Sequence, residues 1–374
     1  MDHFALGWPS EWASALNQQQ YELKNLCRVV ARHRQTAPAL TAVDGERVNL
    51  YLPARLRHGY AEAPLDVVVG DWCVMGERFV DESNEAAAVI ETVLPRRTFI
   101  TRAAAGLTSD HQTLAANVDV MFVVTSVNLD LNVNRLRRYV LLAMQGGVEL
   151  VFVFSKMDLF DACDVDSDDY AELSAALNDV EATFPEVRRI FASTVSGRGL
   201  GEIGSLLPAG KTAVFLGSSG VGKSTLVNAL LDADVQKTGD IRGVDQRGRH
   251  TTSGSELFFV PDGGGMIIDT AGLRQVGLTC DEETLDSLMP TVSELAESCR
   301  FIDCIHTSEP GCAVLEALQS GALSESDFET YRQLNRELAY NQRKTDQRLA
   351  VEERKRWKRV AMDNRRRAKN ANSG

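Results

Sequence analysis

Residues 213 to 230 read AVFLGSSGVGKSTLVNAL, a stretch dense in residues that could do chemistry. Gly217, Ser218, Ser219, Gly220, Val221, Gly222, Lys223 and Ser224 fit the spacing G-x-x-x-x-G-K-[ST], and Thr225 follows. In that pattern the glycines let backbone N–H groups turn inward around phosphate oxygens. The lysine supplies positive charge for the β- and γ-phosphates, and the serine hydroxyl can ligate Mg²⁺. The apolar run Ala213 to Leu216 predicts a strand before the loop, and Leu226, Val227, Leu230 and Leu231 predict a helix after it. A glycine-rich turn with no ligand would need neither flank. The expectation is a nucleoside-triphosphate site.

The base is read elsewhere. Glu149 to Phe154 (ELVFVF) has the composition of a buried strand and ends in Ser155, Lys156, Met157 and Asp158. This tetrapeptide resembles the guanine-reading motif Asn/Thr-Lys-x-Asp. A carboxylate at Asp158 can accept hydrogen bonds from guanine N1–H and the 2-amino group, a pair of donors that adenine lacks, and the Lys156 stem can lie along the base plane. Ser155 departs from the usual Asn, which ties neighbouring loops together and contacts the base edge. Serine is shorter and has fewer donors, so the replacement puts affinity at stake, while specificity rests on Asp158. Ala192, Ser193 and Thr194 follow Ile190 and Phe191 at another predicted strand end, where a loop backing the guanine belongs. Guanine is therefore expected over adenine.

Met266 to Gly272 is an apolar strand ending in D-x-x-G. Asp269 would hold Mg²⁺ through water, and the Gly272 amide would sense the γ-phosphate. Between this element and the phosphate loop, Arg247, Gly248, Arg249, His250, Thr251 and Thr252 have the form of a first switch. One of its threonines, Thr252 by preference, closes the Mg²⁺ shell when triphosphate is present. The motif order is therefore guanine reader, backing loop, phosphate loop, first switch, D-x-x-G. Ordinary GTPases place the phosphate loop first. The same parallel sheet can form from a circularly permuted chain whose termini lie in a different connection.

A second kind of chemistry follows. Cys299, Cys304, His306 and Cys312 lie within fourteen residues, spaced C-x4-C-x-H-x5-C. Three cysteines and a histidine are a common structural zinc set, and four protein ligands leave no open catalytic position. Buried free cysteines or a Cys–His nucleophilic pair are the alternatives, but this density beside Pro310 and Gly311 favours metal. Cys27, Cys73, Cys163 and Cys280 are scattered singly and read as core or incidental residues. The cysteines and the lack of a recognisable signal peptide predict a reducing, cytoplasmic compartment.

The elements that must position these groups read as three bodies in 374 residues. Between residues 25 and 105, short strands are expected at Cys27–Ala31, Leu40–Val43, Val48–Leu52, Val67–Met75 and Ala87–Val93, with Asp44-Gly45 as a hairpin turn. Five short strands suit a small OB-type barrel. No aromatic row for RNA is evident there, although Arg28, Arg32, Arg34 and Trp72 could contact RNA or form a solvated face. Residues 161–180 are acidic and read as a loop leading into a surface helix. Net charge is −12, but residues 351–374 carry nine Lys/Arg against three acids, a net +6 that leaves −18 for the rest. An acidic body with a basic tail suggests a docking face plus an electrostatic arm for phosphates, though a solvated helix would look alike. Trp357 in that tail could stack on a base or dock on the protein. No apolar stretch reaches the ~18 residues of a membrane helix.

The sequence GSSGVGKSTLVNAL, then GRHTT, IIDTAG and the Cys/His block, in that order, resembles the circularly permuted GTPases of small-ribosomal-subunit biogenesis, the RsgA/YjeQ type. The resemblance runs from about residue 25 to about residue 340. It implies a multidomain α/β protein: an extension (1–24), an N-terminal OB-type β-barrel (25–105), a permuted P-loop GTPase domain (106–278), a helical zinc-binding domain (279–350) and a basic tail (351–374). It also implies one structural Zn²⁺, Mg²⁺ with GTP, a monomer in the cytoplasm, and the 30S subunit and its 16S rRNA as partners in late maturation. Ser155 for Asn, Ala271 for the usual Pro and the N-terminal extension depart from the pattern. Leu273 follows the D-x-x-G where many switch GTPases carry a water-orienting glutamine. Intrinsic hydrolysis is therefore expected to be slow, with His250 the best candidate for the missing catalytic group. His250 could instead be a loop residue or an RNA contact, and Arg247 and Arg249 could stabilise charge or touch rRNA. A GTP-binding ribosome or RNA module with negligible catalysis, or a P-loop ATPase, are the competing readings.

Overall fold

The computed structural model describes residues 6–8, 22–33, 36–53, 67–103, 111–127, 131–232, 255–269, 285, 289–301, 304–325 and 327–336. The chain divides into two compact units, residues 1–101 with 113–276 and residues 102–112 with 277–374.

The first unit opens with a closed barrel of β1 (Leu26–Val29), β2 (Thr36–Thr41), β3 (Arg47–Tyr51), β4 (Trp72–Val80) and β5 (Ala86–Val93), ordered β1-β2-β3-β5-β4. The antiparallel pairing of β1 with β4, Cys27 opposite Cys73, and the parallel pairing of β3 with β5, Leu50 opposite Ala88, close it. Val29, Ala37, Ala39, Val48, Leu50 and Ile90 fill the interior. The expected strand at 67–75 begins instead at Trp72 and runs on to Val80, because Val67–Asp71 are taken up by a turn. The Asp71 carboxylate accepts from the Val68 N–H at 2.8 Å. Gly70 sits at φ 92°, where a Cβ would lie 2.0 Å from the Ala116 carbonyl oxygen.

A ribbon of β6 (Phe99–Ala103) and β7 (His111–Ala116) leads to a six-stranded sheet of β8 (Val120–Ser126), β9 (Glu149–Ser155), β10 (Arg188–Phe191), β11 (Thr212–Leu216), β12 (Glu256–Phe259) and β13 (Met266–Asp269), ordered β10-β9-β8-β11-β13-β12. All neighbours are parallel except β12 and β13. The near-continuous apolar strands β8 and β11 are buried along their whole length, as the inner strands of a sheet covered on both faces should be. Helices α1 (Val133–Gly146), α2 (Met157–Asp161), α3 (Asp168–Thr183), α4 (Leu200–Ser205) and α5 (Lys223–Leu231) join them. The acidic stretch 161–180 is the end of α2, a loop and α3, whose N-cap Ser167 accepts from the Tyr170 N–H.

Barrel and sheet are joined through a buried arginine. Arg28 donates to the Asn117 carbonyl at 3.1 Å, to Thr212 Oγ1 at 2.9 Å and to the Leu6 carbonyl at 2.5 Å, with Trp72 beside it. Burial lowers its pKa to about 10, so it stays charged at neutral pH. Arg28 and Trp72, which the sequence offered as RNA contacts, are both fully buried, because a barrel fused to a sheet uses those positions for the seam. Arg32 donates to the Val67 carbonyl, and Arg34 and the basic tail lie outside the described residues. Leu6 and Trp8 of the expected N-terminal extension pack in the same seam, Trp8 edge-on to Trp72 at 4.8 Å.

In the second unit, α6 (Pro290–Glu297) and α7 (Ala313–Ser320) flank the cysteine-rich loop.

Candidate nucleotide and metal sites

The carboxyl ends of β9, β10, β11 and β13 carry Ser155, Ala192, Gly217 and Asp269, and the ends of parallel strands are where α/β sheets bind nucleotides. Four motifs spread over the sequence thus meet at the carboxyl end of one sheet. The phosphate-loop strand β11 lies in the middle, and the guanine-reading strands β9 and β10, which precede it in the chain, lie to one side. This is the permuted order that the motifs predict.

Gly217 leaves β11 at φ 140°, and a Cβ there would stand 2.1 Å from the Val124 carbonyl oxygen, so only glycine lets the loop start so close to β8. Gly222, in the left-handed region, caps α5, whose first turn holds Lys223, Ser224 and Thr225. Lys223 Nζ donates to the carbonyls of Gly217 and Ser218 at 2.8 and 2.5 Å, which folds the ammonium over its own loop. Ser218, Ser219 and Gly220 form the partly open rim, whereas Val221 is buried against the sheet.

In the base-reading half, the Met157 N–H donates to the Ala192 carbonyl at 3.1 Å and the Met157 side chain is buried, so it anchors the turn. Lys156 takes a left-handed conformation, φ 60°, that starts α2 and places Asp158 in its first turn. Ser193 Oγ donates to Asp158 Oδ1 at 2.5 Å and accepts from the Val195 and Ser196 N–H groups at 3.2 and 3.3 Å. The backing loop therefore fixes the plane of the Asp158 carboxylate. Sequence reasoning missed Arg198, whose carbonyl accepts from Ser193 N–H at 3.0 Å and whose guanidinium pairs with Asp161 at 2.9 Å.

Ser155 does what a shortened tie was not expected to do. Its hydroxyl is buried and lies 2.6 Å from the Val221 carbonyl and 3.2 Å from the Thr125 carbonyl, linking the guanine reader to the phosphate loop. The close approach of Gly222, whose Cβ would lie 3.9 Å from Ser155 Oγ, makes a short side chain sufficient. Thr252, His250, Gly272, Arg247, Arg249 and Leu273 lie outside the described residues.

The four predicted metal ligands come together, all donor atoms within 4.8 Å of one another. Cys299 Sγ lies 3.6 Å from His306 Nδ1 and 3.8 Å from Cys312 Sγ, and His306 Nδ1 lies 3.4 Å from Cys312 Sγ. A tetrahedron with Zn–S of about 2.3 Å and Zn–N of about 2.0 Å has edges of about 3.5–3.8 Å. The spacing of Cys299, His306 and Cys312 therefore fits zinc, and Cys304 Sγ lies within 4.8 Å of the other three donors. Glu309 folds the loop by accepting from the N–H groups of Ile305, Thr307 and Ser308 at 3.1, 2.8 and 2.9 Å. Those bonds, that of Ser308 foremost, pull its carboxyl down to about 2. Cys312 caps α7, receiving the Leu315 N–H at 3.5 Å.

A family model described as RsgA GTPase matches residues 93–279, and one described as 50S ribosome-binding GTPase matches residues 212–347. The chain is 40% identical over 352 residues to the Small ribosomal subunit biogenesis GTPase RsgA of Streptomyces coelicolor, spanning 92% of this chain and 90% of that one. It is 37% identical over 319 residues to the protein of the same name from Methanosarcina acetivorans, 85% and 81% of the two chains. The crystal structure of YjeQ from Thermotoga maritima superposes with a TM-score of 0.57 at 28% identity, covering 84% of this chain and 98% of that one. No helix among the described residues is long and apolar enough to cross a membrane.

Proposed function

Since the chain belongs to the RsgA family of GTPases, we propose that it is a guanine-nucleotide switch that binds the small (30S) ribosomal subunit, assists its late maturation and leaves after subunit-stimulated GTP hydrolysis. The observation that carries the nucleotide half of this reading is the Ser155–Val221 bond, which joins a guanine reader oriented by Ser193 to a phosphate loop 66 residues away in the chain. Relatives named for small-subunit biogenesis support the ribosomal half.

Asp158, backed by Ser193, reads guanine, and the loop from Gly217 to Thr225 holds the phosphates. Ser224, Thr252 and Asp269 supply hard oxygen ligands suited to Mg²⁺, which neutralises charge developing between the β- and γ-phosphates. The Gly272 amide senses the γ-phosphate. Leu273 cannot orient water, and His250 takes that role once the subunit has ordered the first switch. Cys299, Cys304, His306 and Cys312 hold one structural zinc. The division of the chain at 25–105, 106–278, 279–350 and 351–374 assigns rRNA contact to the flanking parts, with 16S rRNA as the partner of the basic tail. The thiols of Cys27, Cys73 and Cys163, which form no disulfide, suit a reducing cytoplasm, where the protein acts as a monomer.

Hydrolysis measured against added 30S, 50S and 70S particles tests the proposal. Stimulation by 30S alone is expected, and stimulation by 50S alone would overturn it. His250→Ala should lower the saturated 30S-stimulated rate by ~10²-fold, the scale of a positioned acid–base group. A variant that reaches the wild-type maximal rate at higher 30S concentration would make His250 a docking residue.

A further inference from the structure

On the outside of the barrel, β3, β5 and β4 carry the aromatic pair that the sequence did not reveal. The rings of Tyr51 and Phe79 lie 6.0 Å apart, tilted by 37°. Between their strands the small Ala87, register partner of Asn49 and of Phe79, is fully buried. Phe79 and Val89, which shares the face with Tyr51, are 43% and 40% exposed, an apolar pair that a solvated strand ribbon does not need.

The rim of this face is acidic. Glu77, Glu82 and Glu85 are exposed against two arginines, Arg47 at the start of β3 and Arg78, which is paired with Glu46 at 2.5 Å, so the balance stays acidic. Asp81 accepts from the Tyr51 hydroxyl at 3.3 Å and from the N–H groups of Ser83 and Glu85 at 2.8 and 3.1 Å. The Glu85 N–H above all holds its carboxyl below the ordinary range. Polyphosphate brought to this rim meets like charge, so the face is ill suited to RNA. A guanidinium suits it on both counts, because it stacks on aromatic faces and donates in a planar fork to carboxylates. We propose that the outer face of β3, β5 and β4 docks an arginine-rich segment of a partner protein, with Tyr51 and Phe79 as the stacking platform and Glu77, Asp81 and Glu82 as the charge partners.

The test is fluorescence anisotropy of a labelled peptide of alternating arginine and glycine titrated with the full chain at physiological salt. Saturable binding is expected. Phe79→Ser and the double variant Glu77→Lys/Glu82→Lys should each weaken it about tenfold or more, the usual effect of removing an interface anchor. Melting temperature and basal GTP hydrolysis should stay at wild-type values. A labelled oligouridine of similar length, run in parallel, should bind no more weakly to either variant. Equal peptide binding by wild type and both variants would mean that only the general negative charge of the chain attracts it, and would overturn the proposal. So would the absence of saturable peptide binding, or a Phe79→Ser variant that loses the oligonucleotide and keeps the peptide. Should Phe79→Ser melt early, Val89→Ser, the register partner of Tyr51 on the same face, decides by the same outcomes.

Discussion

Ser155→Ala isolates the tie between the two halves of the nucleotide site. The Ser155 hydroxyl has one proton, and at 2.6 Å the Val221 carbonyl is its nearer acceptor, with the Thr125 carbonyl second at 3.2 Å. Alanine leaves the buried Val221 carbonyl without this donor, at a cost of about 1–3 kcal/mol. The bond exists before nucleotide arrives, so part of that cost falls on the stability of the fold. What binding loses is the fixed spacing between base reader and phosphate loop. If that share is about 1.4 kcal/mol, GTP and GDP should each bind about tenfold more weakly. Guanosine needs only the base reader and pyrophosphate only the loop, so neither depends on the spacing, and each should change less than about twofold. Preference for GTP over xanthosine triphosphate should persist, since Asp158 carries it. Displacement of a fluorescent GDP analogue by each ligand, on wild type and variant, measures all of these. Guanosine losing as much as GTP would place Ser155 at the base and refute the tie. Unchanged GTP affinity would refute it from the other side.

Asp158→Asn presents an amide donor to guanine N1–H and removes one of two acceptors, so calorimetry should find GTP binding weaker by roughly tenfold or more. Cys304→Ser should lose close to one zinc per chain by elemental analysis and lower the melting point of the C-terminal region, with a chelator reproducing both effects in wild type. Arg28→Ala strands the carbonyls of Leu6 and Asn117 and the Thr212 hydroxyl in the barrel–sheet seam, and urea titration should find about 3–5 kcal/mol lost, from buried acceptors at about 1–3 kcal/mol each and the cavity left by the side chain.

The phosphate-loop turn and the Cys/His cluster were legible because nucleotide and metal chemistry constrain residue type at fixed spacing. Gly217 must be glycine where β8 passes within 2.1 Å of its missing Cβ, and zinc needs four soft or borderline donors close together in the loop. The barrel was legible as five strands, yet the fourth was placed early, because Val67–Val69 are apolar for burial, Val67 within the barrel interior, while the turn they form keeps them out of the strand. Arg28 and Trp72 were misread for the opposite reason. A residue type that can touch RNA can equally fill a seam, and nothing local to residue 28 says that Thr212, 184 residues on, will face it. Ser155 was legible as a departure and not as a solution. Its reach depends on how near Gly222 approaches, a tertiary distance.

The topology also explains why the barrel is more than an appendage. Strand β12, the last before β13, lies at the edge of the six-stranded sheet, where unpaired N–H and C=O groups would invite association. The barrel meets that need. Leu257 N–H donates to the Val30 carbonyl at 2.8 Å, Ala31 bridges Glu256 in antiparallel fashion, and Phe259 packs against the cluster of Leu26, Trp72 and Leu94. The same strand follows the segment that contains Thr251 and Thr252. A rearrangement of that segment that drew β12 out of register must therefore break its bond to Val30 or carry the barrel along. Sealing the sheet edge and holding the start of β12 are here done by the same two residues of the barrel, Val30 and Ala31.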